Sequence, residues 1–142
     1  MNATDEVLAQ LSPALRKSVN LGSDVEYFRQ PLPSPTLTRA LNGGLPYGRQ
    51  SLIWGAKSAA KSSLCLQIVA MAQAEGKTAA WIDAEQSFDY NWAESLGVKT
   101  NELIYSEAKT TNDMANAGTS LMDAGIDVLV VDSISALLPA IY

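Results

Sequence analysis

A candidate phosphate-binding loop occupies residues 55–62 and reads Gly55-Ala56-Lys57-Ser58-Ala59-Ala60-Lys61-Ser62. In loops of the pattern G-x-x-x-x-G-K-[ST], backbone N–H groups surround phosphate oxygens, the lysine reaches the terminal phosphates and the hydroxyl can bind Mg²⁺. Lys61 and Ser62 fit this pattern, whereas Ala60 stands where the second glycine belongs. Alanine costs about 1–2 kcal/mol if residue 60 must adopt a positive φ, and little otherwise. The sequence leaves both conformations open, and it also allows a helix start that binds no ligand.

A second candidate site residue, Asp132, ends the apolar run Val128-Leu129-Val130-Val131. In a parallel sheet, such a strand end lies at the same edge as a phosphate-binding loop. Asp132 is therefore placed to hold Mg²⁺, directly or through water. A solvated or capping aspartate is the alternative for this residue taken alone.

Two further carboxylates, Asp83 and Glu85, follow the apolar run Ala79-Ala80-Trp81-Ile82. Glu85 lies just beyond the end of this predicted strand and could orient a water for attack on a γ-phosphate. Asp83 competes for the same role. A plain capping role remains open for either residue.

The elements that must position these residues alternate between strands and helices. Strands are predicted at residues 51–54, 78–83, 102–105 and 128–131, and helices near residues 61–74, 90–96 and 111–123. This alternation predicts βαβ units, and hence an α/β fold with a parallel sheet and flanking helices. Upstream, apolar residues at helical spacing predict one helix of about four turns over residues 7–19. The proline-containing residues 21–35 read as a linker or arm with a possible short strand at 25–28.

Composition excludes several classes of protein. The 142 residues suffice for about one domain, and 47% hydrophobic with 18% charged residues argues against disorder. The net charge is −5, and the ten basic residues are scattered, so no nucleic-acid patch is visible. Cys65 is the single cysteine, which excludes an internal disulfide and fits a reducing cytoplasmic setting. No secretion signal or membrane-spanning run is recognisable.

Several segments together resemble the RecA recombinase family. They are Gly43-Gly44-Leu45-Pro46-Tyr47-Gly48-Arg49, the loop at 55–62, Ile82-Asp83-Ala84-Glu85, Ser95-Leu96-Gly97-Val98 and Val130-Val131-Asp132-Ser133-Ile134-Ser135-Ala136-Leu137. The resemblance covers residues 32–139. It implies a P-loop NTPase core of RecA-like type over residues 36–142, preceded over residues 1–35 by an N-terminal helix and oligomerisation arm.

The resemblance also implies roles for individual residues. Lys61 and Glu85 would be catalytic, with Glu85 activating water, and Ser62 and Asp132 would hold Mg²⁺. Asp89 would contact adenine and Trp92 would pack on the base, although Trp92 as an ordinary helix anchor remains open. The implied nucleotide-binding residues are Gly55, Ala56, Lys57, Ser58, Ala59, Ala60, Lys61, Ser62, Ser63, Asp89 and Trp92.

The function expected from this resemblance is the ATP-binding portion of a DNA recombinase, a DNA-dependent ATPase that forms filaments on single-stranded DNA. ATP and Mg²⁺ are the expected cofactors, and self-association is expected through the N-terminal arm. The chain ends before the family's DNA-binding segments, so a fragment that binds ATP with little turnover is expected. Because its sheet would be incomplete, the strand at 128–131 and the apolar residues 137, 138 and 141 would be poorly covered, so poor solubility or association is expected as well. The alternatives are a non-catalytic RecA-like module that binds or caps a filament and, less favoured, a small kinase, which would need lid arginines that are absent after Arg49.

Overall fold

The computed structural model describes residues 3–19 and 28–136. The elements in chain order are α1 (Ala3–Ala9), α2 (Pro13–Arg16), β1 (Arg29–Gln30), α3 (Pro35–Ala40), β2 (Leu45–Pro46), α4 (Lys61–Ala74), β3 (Ala79–Asp83), α5 (Tyr90–Ser95), β4 (Leu103–Glu107), α6 (Thr111–Asp123) and β5 (Val128–Asp132). Within the described residues, 3₁₀ turns also lie at Thr100–Glu102 and Ile134–Ala136.

The central feature is a three-stranded parallel sheet in the order β4-β3-β5. Every residue of β3 is buried, because this strand pairs on both sides and is covered on both faces. Leu66 and Val69 of α4 pack in one core with Trp81, while Gly118 of α6 approaches the side chain of Ile82. Consecutive strand residues point to opposite faces, so α4 and α6 lie on opposite sides of the sheet. The prediction of an α/β protein with a parallel sheet and flanking helices is confirmed.

The strand register brings the two predicted carboxylate-bearing ends together. Asp83 at the end of β3 is the direct partner of Asp132 at the end of β5. On its other side, Asp83 pairs with Glu107 of β4. Three acidic residues therefore end neighbouring strands at one edge of the sheet.

A small antiparallel ribbon of β1 and β2 precedes this core. Tyr47, just after β2, hydrogen-bonds Gln30 of β1 and accepts a hydrogen bond of 2.6 Å from the Lys77 ammonium. Lys77 also pairs with Glu75 at 2.6 Å, and its pKa is raised first by this contact and then by Tyr47. These contacts join the ribbon to the turn between α4 and β3.

The helix and strand predictions for the core agree closely with the structure. The helices predicted at 61–74 and 111–123 have those bounds, and the strand predictions at 78–83 and 128–131 are each within one residue. The strand predicted at 102–105 runs instead over Leu103–Glu107, because residues 100–102 form a 3₁₀ turn.

The strand predicted at residues 51–54 is wrong. These residues have no strand conformation, and the side chains of Leu52 and Trp54 are 78% and 84% exposed. A strand needs a partner for its backbone hydrogen bonds, and no strand among the described residues pairs with this segment. The apolar side chains of Leu52 and Trp54, which suggested a strand, therefore lie on the surface, directly before the candidate loop.

The prediction of a single N-terminal helix is wrong as well. The segment forms two short helices, α1 and α2, which break at Ser12-Pro13. Proline lacks the N–H that would continue α1, while the Ser12 hydroxyl accepts from Leu15 N at 3.3 Å and caps α2. No residue of either helix is buried, and Val7 and Leu15 are 62% and 53% exposed.

The short strand predicted at 25–28 lies largely outside the described residues, and its last residue, Phe28, is exposed coil directly before β1. The apolar residues 137, 138 and 141, expected to lack cover, also lie outside them. No helix in the part of the chain that the structure describes is long and apolar enough to cross a membrane.

Candidate functional site

The candidate loop ends in a left-handed residue. Ala60 has φ 58° and ψ 26°, and Ser58 also has a positive φ of 60°. Ala60 therefore carries the left-handed conformation for which glycine is the usual residue, at a cost of about 1–2 kcal/mol. The alternative of a negative φ, which the sequence left open, is excluded.

The start of α4 is open toward the loop. Ala60 is the N-cap residue and has no side chain that accepts a hydrogen bond from the first turn. The first N–H groups of a helix have no partner within the helix, and the helix dipole adds positive potential there. Residues 55–60 are exposed, so an anion can reach these groups.

The Lys61 ammonium folds back over the loop. Its Nζ donates to the Ala56 carbonyl oxygen at 3.0 Å. This contact holds a positive charge beside the loop backbone, at the open end of α4. An anion in the loop would offer the ammonium a stronger, charged acceptor than this carbonyl.

Asp83, one of the two carboxylates left as alternatives by the sequence, is occupied by structural hydrogen bonds. It is 1% exposed and accepts from Glu85 N at 3.1 Å, Phe88 N at 2.9 Å and the Tyr105 hydroxyl at 3.1 Å. Burial, followed by the hydrogen bond to Asp83, raises the pKa of Tyr105 to about 12. Asp83 thus fixes the loop that follows β3.

Glu85 is exposed and lies beside the end of β5. Its Oε1 accepts from the Ser133 hydroxyl at 2.6 Å, and Ser133 lies 2.9 Å from the Ser135 hydroxyl. The backbone continues this link, because Ala84 N donates to the Asp132 carbonyl oxygen at 2.8 Å. The loop after β3 and the loop after β5 are therefore joined at this edge.

An aromatic cluster lies beneath the same loop. The Phe88 ring centroid is 5.4 Å from that of Trp81, 4.9 Å from Tyr90 and 5.3 Å from Tyr105. These edge-on and tilted contacts are the favourable geometries for aromatic pairs. They fix the position at which the chain turns from the loop into α5.

Asp89 and Trp92 are held by local hydrogen bonds. The Asp89 carboxylate caps α5 by accepting from Trp92 N at 3.0 Å. The Trp92 indole N–H donates to the Ser63 hydroxyl of α4 at 3.3 Å, and the residue is 49% exposed. Both residues have structural contacts and still present surface to solvent.

A cavity of about 90 Å³ joins most of these groups. It is lined by Ser62, Leu66, Trp81, Ser87, Phe88, Asp89, Trp92 and Asp132. Four predicted site residues from three separate segments, Ser62, Asp89, Trp92 and Asp132, thus meet in one place. Glu85, Lys61 and residues 55–60 lie outside its lining. A larger cavity of about 390 Å³, between the β1–β2 ribbon and residues 51–53, contains none of the predicted site residues.

The polar groups of this cavity suit a hard cation that also binds phosphate. Asp132 offers a half-buried carboxylate and Ser62 a hydroxyl, and Mg²⁺ is usually held by one or two carboxylates together with phosphate oxygens. Among the described residues no group of three or more His, Cys, Asp or Glu side chains could hold a metal alone. Burial, followed by the Asp132 charge, raises the pKa of the nearby Cys65 thiol to about 11, so this thiol is protonated at neutral pH.

Two residues at this site were missed by the sequence analysis. Ser133 contacts Glu85. It belongs to a segment that carries the family resemblance and directly follows Asp132, but the sequence analysis gave it no role. Tyr105 contacts Asp83, and only the register of β4 against β3, which pairs it with Trp81, brings it near.

The fold and the site define an α/β protein with an open, lysine-bearing loop and clustered carboxylates at the carboxyl edge of a parallel sheet. Residues 18–141 match the family model of the RecA N-terminal domain. The chain therefore belongs to the RecA family.

Individual relatives agree with this assignment. Protein RecA of Bdellovibrio bacteriovorus is 45% identical over 98 residues, which cover 68% of this chain and 26% of that protein. Protein RecA of Rhodococcus jostii is 40% identical over 146 aligned positions, covering 96% of this chain and 41% of the relative. Protein RecA of Bifidobacterium longum is 38% identical over 143 aligned positions, which cover 96% of this chain and 36% of that protein. The chain thus spans between about a quarter and two fifths of these relatives' length.

Proposed function

We propose that this chain is the ATP-binding portion of a RecA-type DNA recombinase, built on a P-loop NTPase core. The observation that carries the proposal is the meeting of Ser62, Asp89, Trp92 and Asp132 around one cavity beside the open start of α4. A loop for phosphates, oxygen ligands for a cation and an aromatic wall are the groups that a nucleoside triphosphate with Mg²⁺ requires.

The triphosphate would bind at residues 55–62. The loop's exposed backbone and the uncapped first turn of α4 support this role. Lys61 would exchange its contact with the Ala56 carbonyl for the terminal phosphates. The remaining loop residues, including Lys57, Ser58 and Ala59, would contribute through the backbone.

The other predicted residues would surround this triphosphate. Ser62 and Asp132 would hold Mg²⁺, which would neutralise charge on the phosphates. Glu85, kept exposed while Asp83 is buried, would orient the attacking water. Asp89 and Trp92 would contact the base.

At the level of the whole protein, we propose a DNA-dependent ATPase that acts in homologous recombination and repair in the cytoplasm. Single-stranded DNA would bind through segments outside this chain. Residues 1–35 would serve as an arm for self-association and residues 36–142 as the ATP-binding core. The exposed apolar side chains of Val7 and Leu15 support a surface that packs on another subunit.

The first test is a titration of the folded chain with a fluorescent ATP analogue and Mg²⁺. We expect saturable binding that is lost in Lys61→Ala, because this ammonium is held against the loop backbone at the open start of α4. Lys17→Ala removes a lysine that follows α2, far along the chain from the loop, and is the matched control. It should bind as the wild-type chain does.

Absence of binding by folded wild-type protein would contradict the proposal. That result would favour a non-catalytic RecA-like module whose nucleotide site has decayed at Ala60. Equal binding by the wild-type chain and Lys61→Ala would show that the nucleotide binds elsewhere.

A further inference from the structure

The position of the Trp92 ring is set by a residue on another element. The indole N–H donates to the Ser63 hydroxyl at 3.3 Å, which ties α5 to the first turn of α4. Ser63 directly follows Ser62, a cavity-lining residue, and is itself absent from the cavity lining. Its hydroxyl therefore faces the tryptophan.

The ring needs such a contact if it is to keep one orientation. Trp92 is nearly half exposed, and it lies in a short helix that is capped by Asp89. An exposed side chain exchanges among rotamers on a picosecond to nanosecond time scale. The indole N–H is a donor with one direction, so a partner on α4 selects the rotamer in which the ring forms a wall of the cavity.

Resting on the function proposed above, we infer that Ser63 is a positioning residue, which orients the Trp92 ring for a purine base. Ser63 then contributes to affinity for the nucleoside part of the ligand and not for its phosphates. Holding the ring in advance avoids the ordering cost that binding would otherwise incur. Loss of this contact should weaken binding of the nucleoside part by about two- to tenfold.

The test compares two ligands with the same triphosphate, ATP and inorganic tripolyphosphate, each titrated with Mg²⁺ into the full chain. The measured quantity is the affinity for ATP divided by the affinity for tripolyphosphate. In Ser63→Ala we expect ATP binding to weaken by about two- to tenfold more than tripolyphosphate binding. Ser63→Thr keeps a hydroxyl acceptor and should preserve the wild-type ratio.

A double-mutant cycle separates this contact from general damage to the fold. Trp92→Phe keeps an aromatic face but removes the N–H donor, so it should lower the ratio as well. Combining Ser63→Ala with Trp92→Phe should then lower the ratio by less than the product of the two single effects. The thermal stability of each variant is measured by circular dichroism, and the affinities are compared only among variants that are folded at the assay temperature.

An unchanged ratio in Ser63→Ala, or fully independent effects in the cycle, would overturn the inference while the proposed function stands. A wild-type chain that binds neither ligand would instead overturn the proposed function, and this inference with it.

Discussion

Ala60 shows how one residue can carry the conformational cost of the candidate phosphate-binding loop. Its φ of 58° is set by the turn from the loop into α4, and the same turn leaves the first N–H groups of the helix open. An alanine there is strained by about 1–2 kcal/mol, so the loop keeps its shape through the packing of α4 rather than through residue preference.

We expect Ala60→Gly to stabilise the chain. Glycine removes the left-handed strain but adds freedom to the unfolded chain, so the net gain in the free energy of unfolding should be about 0.5–1 kcal/mol. Urea denaturation measures it. Ala59→Gly is the control, because Ala59 does not adopt a positive φ and the same change should lower stability. A loss of stability in Ala60→Gly would show that the loop does not hold this conformation in solution.

The hydrogen bond from the Tyr105 hydroxyl to the buried Asp83 carboxylate stabilises the loop that carries Glu85. The Tyr105 hydroxyl is one of three donors to the buried carboxylate. Because the pKa of Tyr105 is raised to about 12 in the folded chain, the neutral phenol is favoured by folding. Its contribution is complete below its ordinary pKa of about 10 and is lost as pH rises through about 12.

Tyr105→Phe should therefore lower the free energy of unfolding by about 1–2 kcal/mol near pH 7. The difference from wild type should shrink between pH 10 and about 12, as the phenol ionises. Tyr90→Phe keeps the aromatic cluster and does not alter the Asp83 contacts, so it is the control. Urea denaturation over this pH range measures the effect, and a difference that stays constant to pH 12 would contradict the assigned hydrogen bond.

Among the elements, α6 is the helix that supports β3 and β5 from the face opposite α4. It begins with a capping box, in which Thr110 accepts from Asp113 N at 3.1 Å and Asp113 accepts from Thr110 N at 3.0 Å. Its only buried residue is Gly118, where the helix crosses the sheet. A Cβ on Gly118 would lie 3.8 Å from Leu129 and 3.9 Å from Ile82, which is ordinary contact distance.

Gly118→Ala should stabilise the chain by about 1 kcal/mol, since glycine costs roughly that much within a helix and the methyl group fits. Thermal unfolding followed by circular dichroism measures the change. Gly97→Ala is the matched control, because its Cβ also has room, 3.7 Å from Ala70, while its φ of +93° strains any other residue. That variant should be less stable than wild type. A destabilised Gly118→Ala would mean that α6 packs more closely on the sheet.

For the whole molecule, exposed apolar side chains occur at several places among the described residues, and two of these places bear on association. One is the N-terminal pair of helices, with Val7 and Leu15, and the other is the segment before the loop, with Leu52 and Trp54. Large apolar surfaces of this kind favour association. The proposed arm attributes self-association to the first of them.

We expect the apparent mass of the wild-type chain to rise with protein concentration in sedimentation velocity. Val7→Ser combined with Leu15→Ser should shift it toward the monomer, because the substitutions remove apolar contact area. Leu52→Ser combined with Trp54→Ser is the matched pair. If only this second pair reduced association, the surface before the loop would be responsible and the proposed arm would be contradicted.

The sequence alone predicted the core elements and named the candidate site residues. Sequence patterns predicted α4, α6, β3 and β5 within one residue, because local pattern and packing agree there. The continuous apolar run of β3, for example, is buried on both faces of the sheet. The motif segments also indicated the RecA family, which the family comparison confirmed.

The conformation, burial and contacts of those residues followed only from the tertiary structure. The φ of Ala60, the burial of Asp83 and the contacts of Ser63 and Ser133 depend on neighbours distant in sequence, which no local pattern specifies. Residues 51–54 were mispredicted for the same reason. An apolar segment becomes a strand only when another strand accepts its hydrogen bonds, and that is a property of the assembled sheet.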